Sequence, residues 1–74
     1  MKVDIKYCVP CGFLPRAKEL KQQMEKEFKA SVSLTEGDKG VFDVTVNDKL
    51  LFSKHKEGRF PTWEEIGSRR NNHF

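Results

Sequence analysis

The chain carries two cysteines, Cys8 and Cys11, separated by Val9 and Pro10. Two intervening residues let both sulfurs meet across one turn, so the pair is suited to disulfide exchange or to metal binding. In exchange the attacking species is a thiolate. It forms a mixed disulfide with an oxidised substrate, and the second thiol then resolves it, leaving Cys8–Cys11 oxidised. As a staple the pair is poor, because a bridge over so short a loop constrains little of the unfolded chain. Neighbouring cysteines also occur simply as small buried hydrophobes, and that bland reading stands beside the redox one.

What favours chemistry is the place of the pair between two elements. A free thiol titrates near ~8.5, so little of it is ionised at neutral pH. Cys-X-X-Cys pairs beside a helix N-terminus, with its partial positive charge and unpaired N–H groups, titrate at roughly 3.5–7.5. Cys8 and Cys11 are therefore the candidate catalytic residues. Around them, Pro10 stiffens the loop, Gly12 permits close backbone approach and Phe13 offers an apolar contact. Val9, Pro10, Gly12 and Phe13 are the candidate substrate contacts.

The elements that must position the pair follow from periodicity. Val3, Ile5 and Tyr7 alternate with Lys2, Asp4 and Lys6, which predicts a half-buried strand running into Cys8. From Phe13 the period changes. Leu14, Ala17, Leu20, Met24 and Phe28 recur at spacings of three and four, which predicts an amphipathic helix beginning near Gly12 or Phe13, with Pro15 in its first turn. Ser31–Thr35 and Val41–Val46 read as strands on either side of a turn-rich segment. Asn47-Asp48 then predicts a tight hairpin with positive φ leading into a strand over Lys49–Ser53. Lys54–Arg59 is charged and contains Gly58, so a solvated loop is expected. Thr62 and Glu65 form a capping box for a short last helix weakened by Gly67, with a tail from Arg69 to Phe74 expected to fray. The order is β-α-β-β-β-α: an α/β, thioredoxin-like layout with a four-stranded mixed sheet and two helices. Its 74 residues allow a single domain, residues 1–74.

These residues resemble a known family. Tyr7-Cys8-Val9-Pro10-Cys11-Gly12-Phe13, the helix after it, Gly40–Val46, Lys49–Lys54 and Gly58-Arg59-Phe60-Pro61 resemble the selenoprotein W-like (Rdx) family over nearly the whole chain. The resemblance implies thiol redox activity with glutathione as co-substrate, protein thiols or glutathione as partners, and no bound cofactor. The second position of the motif is selenocysteine in some members. Here it is Cys11, which makes this a cysteine-containing relative and implies Cys11 as the more reactive group. The wider thioredoxin group attacks with the first cysteine, which would be Cys8. Typical thioredoxins also carry a cis-proline before the strand that begins here near Val41. Its absence argues against a general protein disulfide reductase.

Composition sets the other bounds. The net charge of +3 comes from 14 basic and 11 acidic residues that are interspersed, unlike the basic stripe of a nucleic-acid binder. Lys54-His55-Lys56 lacks the aromatic residues that would stack bases. No apolar run is long enough for a membrane span, and the N-terminus has no apolar signal core, so a cytoplasmic location is expected. His55 and His73 are too far apart for a finger-type zinc site, and no metal is expected. Arg16 and Lys18 lie near enough to the motif to stabilise a thiolate or an anionic peptide, although a solvated helix face is the default. Trp63 and Tyr7 are read as packing residues. The alternative to an oxidoreductase is a non-enzymatic interaction module whose thiols tune partner binding.

Overall fold

The computed structural model describes residues 2–72. Strand β1 (Lys2–Cys8) leads into helix α1 (Leu14–Phe28), followed by β2 (Ser31–Gly37), β3 (Phe42–Val46), β4 (Lys49–Ser53), a one-turn helix α2 (Lys54–Glu57) and helix α3 (Trp63–Asn72). The sheet order is β2-β1-β3-β4. β1 runs parallel to β2 and antiparallel to β3, and β3 pairs antiparallel with β4. This is the thioredoxin-like layout, with β1 in the interior of the sheet.

Register makes the core. Val3 stands between Val32 and Val46, Ile5 between Leu34 and Val44, and Tyr7 beside Phe42. Ala17, Leu20 and Met24 of α1 and Ile66 of α3 are buried in the same cluster. The opposite face of the sheet is polar. There Asp4 of β1 accepts hydrogen bonds from Ser33 (3.0 Å) and Thr35 (2.6 Å) of the edge strand β2. A one-residue slip of β2 would both bury these hydroxyls and expose Val32, so the two faces fix the pairing together. Among the described residues, no helix is long and apolar enough to cross a membrane.

The hairpin residues Asn47 and Asp48 take φ of 50° and 70°, as their types predict. Beyond them the ladder is irregular. Val44 faces Phe52 while Thr45 faces Leu50, leaving Leu51 as an extra residue on β4. This bulge explains why Leu51 and Phe52 are buried in succession, where strict alternation would have exposed one of them.

Three expectations for the C-terminal third are corrected. Lys54–Glu57 is a helical turn and not a loop; it is closed by Gly58, whose φ of 75° lets its N–H reach the Lys54 carbonyl at 2.8 Å. The capping box is half made. Thr62 Oγ1 accepts the Glu65 N–H, but the Glu65 carboxylate turns to Arg59 instead. Helix α3 also continues through Arg69 to Asn72, while His73 and Phe74 lie outside the described residues. What holds it is Arg69, which bonds the Leu51 carbonyl at 2.9 Å and Glu57 at 2.8 Å and also approaches Glu65. These contacts tie α2 and α3 to β4.

Gly67 has a packing role as well as a propensity cost. A Cβ placed there would lie 2.6 Å from Cζ of Phe28, whose ring meets Trp63 edge-on at 5.9 Å. Helix propensity favours Gly67→Ala by about 1 kcal/mol, but overpacking costs roughly 1–3 kcal/mol. The expected outcome is a net loss, read as a lower urea midpoint with an unchanged m-value. The Arg69 contacts yield a second prediction. Hydrogen bonding from Arg69 holds the Glu57 carboxyl below its ordinary value of 4.5, and Arg59 does the same for Glu65. A depressed folded-state value contributes stability above the unfolded value and loses it as pH falls through the folded one. Thermal midpoints should therefore drop below about pH 4.5 more steeply in the parent than in Arg69→Met, which lacks the cation.

Candidate functional site

Cys8 is the last residue of β1. It pairs with Gly37 of β2 on one side, and its N–H donates to the Val41 carbonyl at 2.9 Å on the other. Strand parity should turn Cys8 away from the core, opposite Tyr7. Instead both are buried, and Cys8 has no exposed surface at all. Val9–Gly12 then forms a turn closed by the Gly12 N–H on the Val9 carbonyl at 3.1 Å. Proline at the second position and glycine at the fourth are the residues such a turn favours. The turn brings the two α-carbons to 5.4 Å, and the sulfurs are joined as a Cys8–Cys11 disulfide.

The two ends of the bridge differ. Cys11 is half-buried, whereas Cys8 is sealed. Val9 and Pro10 are exposed beside Cys11, Val9 to 45%. Gly12 is exposed too, with φ of 75° and open space where a Cβ would stand. Phe13 differs from these. Its half-buried ring turns towards the core rim, meeting Phe60 at 4.9 Å and Phe42 at 6.3 Å, so only part of it is presented to a partner.

Helix α1 begins at Leu14, slightly later than the spacing predicts, with Phe13 at its N-cap and no side-chain cap bond. Its first-turn amides therefore lie beyond Gly12 and Phe13. The donor found on Cys11 comes from elsewhere: the Gly40 N–H, 3.3 Å from Cys11 Sγ. Gly40 sits in a turn closed by the Val41 N–H on the Asp38 carbonyl at 3.1 Å, and it takes a φ of 80°. Residue patterning placed Gly40 in a turn before β3 but carried no sign of this contact. The available signal was a glycine immediately before the strand that must neighbour the cysteines.

Basic and aromatic side chains stand together next to this loop. The Arg16 guanidinium lies 4.3 Å over Phe60, and the Lys54 ammonium lies 5.5 Å from the Phe60 ring and 5.6 Å from that of Phe13. Arg16 is thus engaged by an aromatic face, and Lys18 is exposed. A groove of about 290 Å³ opens alongside, between α1 and the segment entering α3, with Arg16, Glu19, Phe60, Trp63 and Glu64 in its lining. His55 is on α2 near Gly40 rather than in a loop. Among the described residues, no group of three or more His, Cys, Asp or Glu side chains is arranged to hold a metal.

After reduction this asymmetry should be measurable. Iodoacetamide under native conditions is expected to alkylate Cys11 well before Cys8, with the difference vanishing in denaturant. Peptide mass spectrometry reads both rates, and equal native rates would contradict the geometry described here.

Comparison with known proteins places the chain in a clear group. The model of the Rdx family matches residues 2–71. Migration and invasion enhancer 1 of Mus musculus is 34% identical over 65 residues (86% of this chain, 56% of that protein). The Bos taurus protein of that name is 31% identical over 67 residues (89% and 58%). The chain therefore spans little more than half the length of these two relatives. Selenoprotein W of Gallus gallus is 31% identical over 58 residues, covering 73% of this chain and 68% of that protein. A crystal structure from Bordetella parapertussis superposes with a TM-score of 0.85 at 28% identity, covering 99% of this chain and 96% of the other. The selenoprotein W-related protein of Vibrio cholerae also reaches 0.85, at 23% identity and over 96% and 92% of the two chains, and shares the fold.

Proposed function

The chain belongs to the Rdx family, and from that premise we propose that it is a small thiol–disulfide redox protein whose Cys8–Cys11 pair cycles between dithiol and disulfide. The observation that carries this reading is the bridge itself, sealed at Cys8 and accessible at Cys11. In the reduced protein the Cys11 thiolate attacks one sulfur of a substrate disulfide. A Cys11–substrate bond forms, the substrate S–S bond breaks, and the departing thiolate takes a proton from water. Cys8 then attacks Cys11 Sγ and expels the second substrate thiolate. Two electrons have moved to substrate, and the protein is left oxidised. Two glutathione thiols, oxidised together to glutathione disulfide, restore the dithiol. The proposed cycle takes glutathione as co-substrate and protein disulfides as acceptors, and the cytoplasm is a compartment reducing enough to sustain it.

The buried partner has a physical consequence for the order of attack. A thiol without solvent contact ionises poorly and meets no external disulfide, so Cys8 suits resolution and Cys11 suits attack. Val9, Pro10 and Gly12 form the exposed rim against which a substrate backbone would rest. Phe13 backs that rim.

Equilibration in glutathione redox buffers tests the proposal. The expected result is a reversible two-electron transition of the pair within the range of cytosolic glutathione, roughly −220 to −320 mV. Cys8→Ser, which keeps the attacking thiol and lacks the resolving one, should accumulate mixed disulfides on Cys11 in cell extract, and Cys11→Ser should not. A pair that stays reduced under mild oxidant, with partner binding unaltered in both serine variants, would instead assign the protein as an interaction module.

A further inference from the structure

The Gly40 amide has a use that family membership does not supply. We infer that the Gly40 backbone N–H is the donor that stabilises the Cys11 thiolate during exchange, and that His55 is the positioning residue that keeps this amide aimed. The inference rests on the redox reading above and names the groups that tune it.

Three observations carry it. First, the Gly40 N–H already lies 3.3 Å from Cys11 Sγ in the disulfide form. A disulfide sulfur is a weak acceptor. When the bond opens, the same sulfur gains a full charge, and an amide already in place becomes a charge-assisted donor with little rearrangement. Second, the donor is selective. Among the described residues, no hydrogen bond to Cys8 Sγ is found, and the Cys8 amide is itself committed to the Val41 carbonyl. The segment Gly40-Val41 thus serves both cysteines, as an acceptor for the Cys8 backbone and as a donor to the Cys11 sulfur.

Third, the conformation that aims this amide is constrained from outside. Gly40 takes a φ of 80°, which side-chain-bearing residues rarely adopt. On its open side lies the imidazole of His55: a Cβ built on Gly40 would be 3.4 Å from His55 Cε1 and 3.8 Å from Nε2. The ring therefore faces the Gly40 α-carbon across a gap about one methyl group deep and limits how far the turn can swing towards α2. His55 is carried by α2, whose last residue, Glu57, is held by Arg69. The space into which the Gly40 turn could swing is thus bounded by an element with its own fixed contacts.

The decisive variant replaces one backbone N–H by oxygen and leaves every side chain in place. At 74 residues the chain is accessible to chemical synthesis, and glycolic acid in place of Gly40 turns the Lys39–Gly40 amide into an ester that cannot donate. The pH profiles of Cys11 alkylation are then compared in the reduced parent and the ester. The expected result is a shift of the ester profile to higher pH, with roughly tenfold less Cys11 thiolate at neutral pH, the loss of one hydrogen bond to a charged group, and an unchanged Cys8 profile. Above the Cys11 midpoints of both proteins, where the thiolate dominates, the disulfide should become harder to reduce, by about 30 mV for a tenfold effect on the equilibrium. His55→Ala should move the Cys11 profile in the same direction, and His55→Phe, which keeps a flat ring facing Gly40, should retain the parent profile.

Superimposable Cys11 profiles for parent and ester would overturn the donor role. An unshifted His55→Ala, or a His55→Phe that behaves like His55→Ala, would overturn the positioning role. Unfolding midpoints of each reduced variant separate these effects from loss of fold. A parent whose pair does not cycle at all would remove the redox reading itself, and that result is distinct from a parent that cycles while the ester matches it.

Discussion

A central strand that ends in a cysteine governs this molecule. β1 is paired along its length with β2 on one side and over Val3–Tyr7 with β3 on the other, so its last residue has little freedom to move. Cys8 inherits that rigidity, with its backbone fixed to Val41 and its side chain sealed. Cys11 stands on a turn outside the ladder, half-buried and beside exposed neighbours. The difference between the two thiols is thus a consequence of where hydrogen bonding stops. In a domain this small, few side chains are available to tune a site, and an asymmetry supplied by the sheet itself needs none of them.

Two turns converge on the sulfurs, and a glycine at positive φ stands in each. Gly12 redirects the chain from the cysteine turn into α1, and Gly40 redirects it from the segment after β2 into β3. Around them the supporting contacts form a chain that begins far from the chemistry. Arg69 of α3 joins Glu57 of α2 to the backbone of β4, and α2 also carries His55 beside Gly40 and Lys54 over the Phe13 and Phe60 rings. The exposed ion pairs in this chain add little stability on their own. Their contribution is geometric, because they hold a four-residue helix that lacks any buried residue of its own.

The parts legible in the sequence are those with a strong period or a demanding turn. β1, α1 and β3 showed themselves through alternation and a helical stripe, and Asn47-Asp48 through its preference for positive φ. Lys54-His55-Lys56-Glu57 could not announce a helix, since four polar residues have no apolar periodicity and one turn gains almost nothing from propensity. The bulge at Leu51 was hidden because apolar residues on both sides of it fit more than one register. Gly67 looked like a weakness in α3 until the ring of Phe28 was seen to occupy the space above it. At the site, the spacing of Cys8 and Cys11 signalled their pairing. Their unequal burial did not follow, because parity assigns Cys8 to the outer face.

The hydrogen bond at Cys11 belongs to a further class of illegible feature, since a backbone amide has no side-chain signature. That same anonymity has a chemical advantage. A lysine or histidine beside a thiol changes its own charge with pH or with its neighbours, so the thiol's ionisation becomes coupled to a second titration. An amide keeps its proton wherever a thiol titrates and carries a fixed dipole set by the turn that holds it. Stabilisation from such a donor depends on angle and distance alone. It is therefore controlled by whatever fixes the turn at Gly40, and this is how an exposed one-turn helix comes to bear on the reactivity of a sulfur more than forty residues away in the sequence.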